Sequence, residues 1–390
     1  MKLNFESFRW DEAYINKINH SGGLRLFILV LVVAIVILAL LLFAGLAKYL
    51  KKKDAQKTEQ DVLKFIANHP ERVSMHVIEN GEETVSYGAD RKRPLASVVK
   101  LVIAAEFAEQ AAEGRILAEE RVHLRNLERF YIPGTDGNAH PEWLESLGDI
   151  SAAEATVPLL EVARGMIRFS SNANTEYLLE KLGLDRVNRR IGLLGFKEHD
   201  PVYPISSSML SYSYLMETRE LTHRQVLDVM KRFSYEDMAD LAKDIFVRIS
   251  QDSAWLQRLS RTRSPLAAQR IWSAKLPGAT AREYAHLLRS IQRGDLLSPR
   301  AAEIMLDLLG RPQSPDSPFQ ALGGKGGSTL TILNQALYCE DASGNQTQLA
   351  VFIHDPDGME LLWLNHKLDL FLREYLTNRS FKEEVNRTLK

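Results

Sequence analysis

Cysteine occurs once, as Cys339, in a chain of 390 residues, which excludes an internal disulfide and any cysteine-rich zinc site. None of the ten histidines falls in a His-Glu-x-x-His or similar spacing, so neither a metal nor a cofactor is expected. The net charge of −1 and a pI near 6.8 lack the basic field by which proteins hold nucleic acid, and no such partner is expected. Gly-x-Ser-x-Gly is missing, which weighs against a Ser-His-Asp nucleophile elbow. The run Gly323-Gly324-Lys325-Gly326-Gly327-Ser328 is no phosphate loop, because glycine follows the lysine and strand-like sequence follows the run. There are no internal repeats.

Hydrophobic residues make up 45% and charged residues 25% of the chain, an ordinary globular composition with room for two or three domains. Residues 1–23 read as a polar tail. Leu26 to Ala47 carries no charged or strongly hydrogen-bonding side chain; as a helix it would extend roughly 33 Å, about a bilayer's hydrocarbon core. A single transmembrane helix is therefore expected within 24–50, with a cleaved signal peptide as the rival reading. Lys48, Lys51, Lys52, Lys53 and Lys57 follow the span, whereas Arg9, Lys17 and Arg25 precede it. Counted literally, those charges place the large domain inside the cell, but long domains translocate despite flanking charge. The chemistry below argues for an extracytoplasmic domain.

Residues 51–69 read as a charged linker and a short helix, Val62 to Ala67. Ser74 to Ile78 and Thr84 to Tyr87 alternate about Asn80-Gly81, a pair suited to a two-residue hairpin turn. Arg129 to His140 reads as a loop, Val157 to Ile167 as a helix ending at Phe169-Ser170-Ser171-Asn172, and Thr175 to Leu182 as the next helix. Phe196 to Tyr214 looks like a loop without helical pattern, and residues 219–275 like charged helices. Ser234 and Thr280 head helices, the second as a capping box with Glu283. Ser298-Pro299 starts another. After a loop at Arg311 to Phe319 and the glycine run come two strand-like stretches, Thr329 to Tyr338 and Gln348 to His354. An amphipathic helix, Glu360 to Leu376, and a polar tail, 379–390, close the chain.

At Pro94-Leu95-Ala96-Ser97-Val98-Val99-Lys100 a serine precedes a lysine by one helical turn, a spacing that sets two side chains roughly 5–6 Å apart. A lysine whose pKa is lowered by burial can take the proton of such a hydroxyl, and Leu101 to Ala105 offers the dry wall. Taken alone, the pair also fits a helix N-cap with a solvated lysine. Ser-x-Asn at Ser170 and Asn172 and Lys-Gly-Gly at Lys325 follow in order. Each also has a bland reading: a helix cap, a loop residue, a turn lysine.

This order of motifs resembles the class A serine β-lactamases and the penicillin-binding peptidases, whose signature is Ser-x-x-Lys, Ser-Asp-Asn or Ser-x-Asn, then Lys-Thr/Ser-Gly. The likeness covers about residues 70–378. It implies an α/β (α+β) β-lactamase/transpeptidase-like fold, an antiparallel sheet flanked by helices with an all-helical subdomain. It further implies Ser97 as nucleophile, Lys100 as base and Ser170 as proton relay. Backbone N–H groups of Ser97 and Ser328 would form the oxyanion hole, Asn172 would position the substrate amide, and Lys325, with Gly327 and Ser328, would meet its carboxylate.

Two departures stand out. The Glu-x-x-Leu-Asn of class A enzymes is missing from Phe196 to Leu210, which offers only Glu198, His199 and Asp200. Gly326 replaces the hydroxyl residue of the third motif. An extra helical segment at about 215–270 is also expected. The sequence thus points to a membrane-anchored serine hydrolase acting on cell-wall peptides or β-lactams; the alternative is a receptor that acylates once or only binds wall fragments.

Overall fold

In a computed structural model the described residues are 28–41, 45, 48, 49, 52, 54–148, 155–295, 297–356 and 358–390. The contacts divide the chain at Thr58/Glu59. In the first unit, residues 28–41 form a helix whose apolar side chains are exposed. The tail 1–23 and much of the rest of the expected span lie outside the described residues. Among the described residues no helix is long and apolar enough to cross a membrane.

The second unit is built on strands whose two faces are both apolar. Helix α1, Glu59–Asn68, leads into β1, Val73–Glu79, and β2, Glu82–Tyr87. Asn80 and Gly81 turn between these strands with φ of 50° and 94°, the left-handed values a two-residue hairpin needs. The short strand β3, Arg93–Pro94, opens onto a 3₁₀ turn, Ala96–Val99, and helix α2, Lys100–Ala112. Short strands β4, Arg121–His123, and β5, Thr156–Pro158, pair with each other. Strand β6, Gly278–Ala279, pairs with β3. The long strands β7, Phe319–Thr329, β8, Ile332–Asp341, and β9, Gln346–His354, complete an antiparallel sheet in the order β2-β1-β9-β8-β7.

Strand β9 shows why the sheet sits between two layers. Leu349, Val351 and Ile353 join one apolar cluster and Ala350 and Phe352 another, the period of two that separates the faces of a strand. The first cluster contains α1 and the C-terminal helix Gly358–Thr377. The second runs without a break into α2 and the helical half, where Phe130 stacks on Phe246 at 5.4 Å.

Several expectations are corrected. The glycine run is no loop: Gly323 to Ser328 lies within β7, at the edge of the sheet. Val157 belongs to β5, and the expected helix is only Leu159–Arg164, followed by a π-turn, Gly165–Phe169. The expected loop 196–214 contains helices Ile205–Ser208 and the start of Ser211–Arg219. The expected polar tail is helix Arg379–Thr388, which buries Phe381 and Val385 against the first cluster; its two apolar residues lie four apart, one face of a turn. The helix expected beside a linker, α1, is part of the second unit and buries Val62, Leu63, Phe65 and Ile66. The helical segment comprises His223–Arg232, Tyr235–Gln251, Ser253–Ser260 and Leu266–Ser273.

Candidate active site

Ser97 stands in the 3₁₀ turn and Lys100 at the first position of α2. The residue before the serine, Ala96, has φ of 48°, a left-handed conformation that costs a residue with a Cβ about 1–2 kcal/mol. Asn334 on β8 holds this strained entry, its Nδ2 donating to Pro94 O at 2.9 Å and Leu95 O at 3.1 Å while its Oδ1 accepts from Ile353 N. Strand β7 passes directly behind the turn. A Cβ added to Gly327 would lie 2.7 Å from Ser97 N and 2.8 Å from Val98 N, so only glycine lets the strand come this close.

The Ser-x-Asn segment is displayed by a different device. The π-turn ends at Ser170, whose φ of 71° is again left-handed. Helix α3, Asn172–Leu182, starts immediately after, and its cap is Ser171, whose Oγ accepts from Asn174 N and pairs with the buried His140 Nδ1 at 2.9 Å. Because Ser171 does the capping, the Ser170 side chain is left for other work. A Cβ on Gly165 would lie 2.2 Å from Asn174 Nδ2, so the π-turn packs tightly against the helix it introduces.

These elements converge on the Lys100 amine. Its Nζ donates to Ser170 O at 2.6 Å and Asn172 Oδ1 at 2.9 Å, and lies 3.2 Å from Ser170 Oγ. Lys100 is only 2% exposed. Burial, reinforced by the positive charge of Lys325 and opposed by Asp136 and Glu176, holds its pKa well below the ordinary lysine value. A neutral amine has two N–H groups and one lone pair. In the neutral form of Lys100 the two carbonyl oxygens would take the N–H groups and leave the lone pair for a hydroxyl. The direct Ser97–Lys100 hydrogen bond implied by their spacing is not formed among the described residues; the lysine is committed to the Ser170–Asn172 segment instead.

Lys325 donates from Nζ to Gly326 O at 2.7 Å. It is 5% exposed, and burial, with Arg311 adding to it, brings its pKa down to about 7. Ser97, Ser170, Asn172, Lys325, Gly327 and Ser328 all line one cavity of about 840 Å³. Its far wall comes from the helical segment and the turn after it, including Arg263, Gln269 and Trp272.

None of Glu198, His199 and Asp200 lines this cavity. Asp200 accepts from Lys92 Nζ at 2.8 Å and Gly278 N at 2.9 Å, and the His199 ring stacks on Phe196. The segment instead turns Ile205, Met209 and Leu210 toward the cavity. The carboxylates near Lys100 are two others, missed in the sequence because neither belongs to a motif. Asp136 lines the cavity; its Oδ2 accepts from His140 N, and its Oδ1 is buried without a hydrogen bond. Glu176, on α3, accepts from Ser206 N and Ser207 Oγ, both at 2.8 Å, and burial raises its pKa to about 7.

The fold is shared with solved structures. A β-lactamase from Sphaerobacter thermophilus matches 80% of this chain and 95% of its own at 17% identity, with a TM-score of 0.50. A β-lactamase from Chitinophaga pinensis matches 81% of this chain and 98% of its own at 14% identity, with a TM-score of 0.51. No curated protein matches the sequence. The family model Beta-lactamase2, the beta-lactamase enzyme family, matches residues 57–359. The chain belongs to that family. It is a serine hydrolase of the β-lactamase family.

Proposed function

We propose that this serine hydrolase is held to the cell membrane by its apolar N-terminal run and acts outside the cytoplasm on cell-wall peptides, with β-lactams as mimics that acylate the same serine. One observation carries the reading: the buried Lys100 amine bonded to Ser170 and Asn172, beside a single cavity that Ser97, Lys325 and Ser328 also line.

In the first half-reaction the Ser97 oxygen attacks the substrate carbonyl carbon and the hydroxyl proton passes to neutral Lys100. The backbone N–H groups of Ser97 and Ser328 hold the developing oxyanion. The C–N bond breaks, and the proton returns through Ser170 Oγ to the leaving amine. Water then attacks the ester, releasing the acid and restoring Ser97. Asn172 steadies the substrate amide and protonated Lys325 draws its carboxylate. The cavity's extension to Arg263 and Trp272 favours an extended peptide over a small bicyclic ring.

The second reading, a receptor acylated once, is favoured by the absence of any carboxylate from residues 196–210 around the cavity. Intact-mass measurement of the full chain with penicillin over hours separates the two. Wild type is expected to gain one adduct, absent in Ser97→Ala, and to lose it with time. An adduct that never leaves supports the receptor. No adduct, or one retained in Ser97→Ala, sinks both. Protease digestion of intact spheroplasts is expected to remove the domain; full protection would reverse the proposed sidedness.

A further inference from the structure

On the helix Ala281–Arg293, call it α4, and on the hairpin it covers stand three side chains that the serine chemistry leaves unused. They are His76 on β1, Glu83 on β2 and His286 on α4. The Glu83 Oε1 atom is 3.5 Å from His76 Nε2 and 3.2 Å from His286 Nε2. All three donor atoms lie within 4.8 Å of one another. Donors about 2.0–2.1 Å from a tetrahedral zinc ion are separated by roughly 3.3 Å. Two of the three edges therefore already have the length that a metal at their centre demands.

His76 gives the cluster its meaning. Its side chain is fully buried, yet neither ring nitrogen has a hydrogen-bond partner. A buried polar atom left unmatched costs about 1–3 kcal/mol, and a metal bond would satisfy Nε2. Glu83 is oriented from behind, its Oε2 accepting from Arg282 Nη1. Arg282 in turn is held by Asp90 through Nε and Nη2 and by Ser86 Oγ. Such outer partners fix the direction of a ligating carboxylate, and Asp90 offsets the cationic charge that Arg282 brings.

We propose that His76, His286 and Glu83 form a three-donor site for a divalent transition-metal ion, zinc in the first instance, which ties the β1–β2 hairpin to α4. Two imidazoles and one carboxylate suit zinc, whereas calcium and magnesium require six or more oxygens. The Glu83 and His286 side chains are about two-fifths exposed, at 41% and 40%, so water can reach a fourth position. None of the three lines the catalytic cavity. The role is therefore a brace: α4 follows β6 closely, and β6 pairs with β3, the strand that delivers Ser97.

The test uses the full chain in detergent, stripped with a chelator and titrated with zinc chloride or cobalt(II). One zinc per chain, a higher unfolding midpoint and the strong visible absorption of four-coordinate cobalt(II) are expected. His286→Ala, at a half-exposed position, should lower zinc affinity at least tenfold, about the range known for perturbed metal sites, and abolish the midpoint rise. Glu83→Gln should act in the same direction. His69→Ala, which removes the exposed His69–Glu71 pair, should change neither. No zinc uptake by wild type would overturn the proposal, as would equal uptake and equal midpoint shift in wild type and His286→Ala.

Discussion

The Lys100 Nζ lies 3.2 Å from Ser170 Oγ, two side chains separated by seventy positions in sequence and joined because a π-turn throws Ser170 out of its helix just where α2 begins. The contact places Ser170 Oγ where the proposed proton relay needs it. Lys100→Ala should cut acylation by penicillin by about 10²–10⁴-fold, the usual contribution of general acid–base catalysis. Ser170→Ala, with Lys100 intact, should lose less. Equal labelling rates in Lys100→Ala and wild type would remove the lysine from the mechanism.

Asp136 should tune that base. Its negative charge raises the Lys100 pKa, so Asp136→Asn lowers it and leaves more of the amine neutral at a given pH. The acid limb of kcat/KM, which reports deprotonation of the base in the free enzyme, should move to lower pH. A shift to higher pH would contradict the assignment.

Lys325 should set the opposite limb. With a pKa near 7, it is charged below that value and loses its proton above it, so kcat/KM for a carboxylate-bearing substrate should fall as pH rises through about 7. Lys325→Arg keeps a charge at every working pH and should flatten this limb, whatever it does to the absolute rate. A limb that survives the change belongs to another group.

Glu176 makes stability depend on pH. Its folded pKa of about 7 exceeds the ordinary 4.5, so its contribution is complete below about 4.5 and is lost as pH rises towards 7. The loss is on the order of 3 kcal/mol. His76, depressed from 6.5 to about 4, works in the reverse sense, with stability gained as pH rises from about 4 to 6.5. The readout is therefore the difference between wild type and Glu176→Gln in urea midpoint at pH 5 and pH 8. Relative to wild type, the variant should gain stability at pH 8; an unchanged difference between the two pH values would place the ionisation elsewhere.

Asn334→Ala should destabilise the domain by about 1–3 kcal/mol, because it removes the side-chain donor to the Pro94 carbonyl and the acceptor for Ile353 N; the Leu95 carbonyl keeps its bond from Val98 N. It should slow acylation as well, since Ala96 loses the restraint on its left-handed turn. Unchanged labelling at full occupancy of the folded state would limit Asn334 to stability.

Features written into short stretches were legible in the sequence. The Asn80-Gly81 turn, the helix cap at Ser234 and the capping box at Thr280 and the motif serines and lysines are local signals, read from a few neighbouring residues. Others failed for stated physical reasons. Gly323 to Ser328 carries almost no side chains and so shows no period of two, although its backbone pairs fully with β8. Helix Arg379–Thr388 hides its two core residues among charges. The bland reading of Ser170 as the cap of the following helix is overturned: the π-turn ends at Ser170, and Ser171 caps the helix. Asp136, Glu176, Asn334 and the His76–Glu83–His286 cluster depend on elements distant in the chain, and spacing holds no trace of such meetings.

Where Gly327 crosses the amide of Ser97, a hydrogen atom is all that fits between them. Gly327→Ala should therefore push the edge of the sheet off the nucleophile while the remaining ladder holds. If the N–H groups of Ser97 and Ser328 hold the oxyanion as proposed, both depend on this one close contact, so a compound that wedged the strand outward would silence the enzyme without ever touching the serine oxygen.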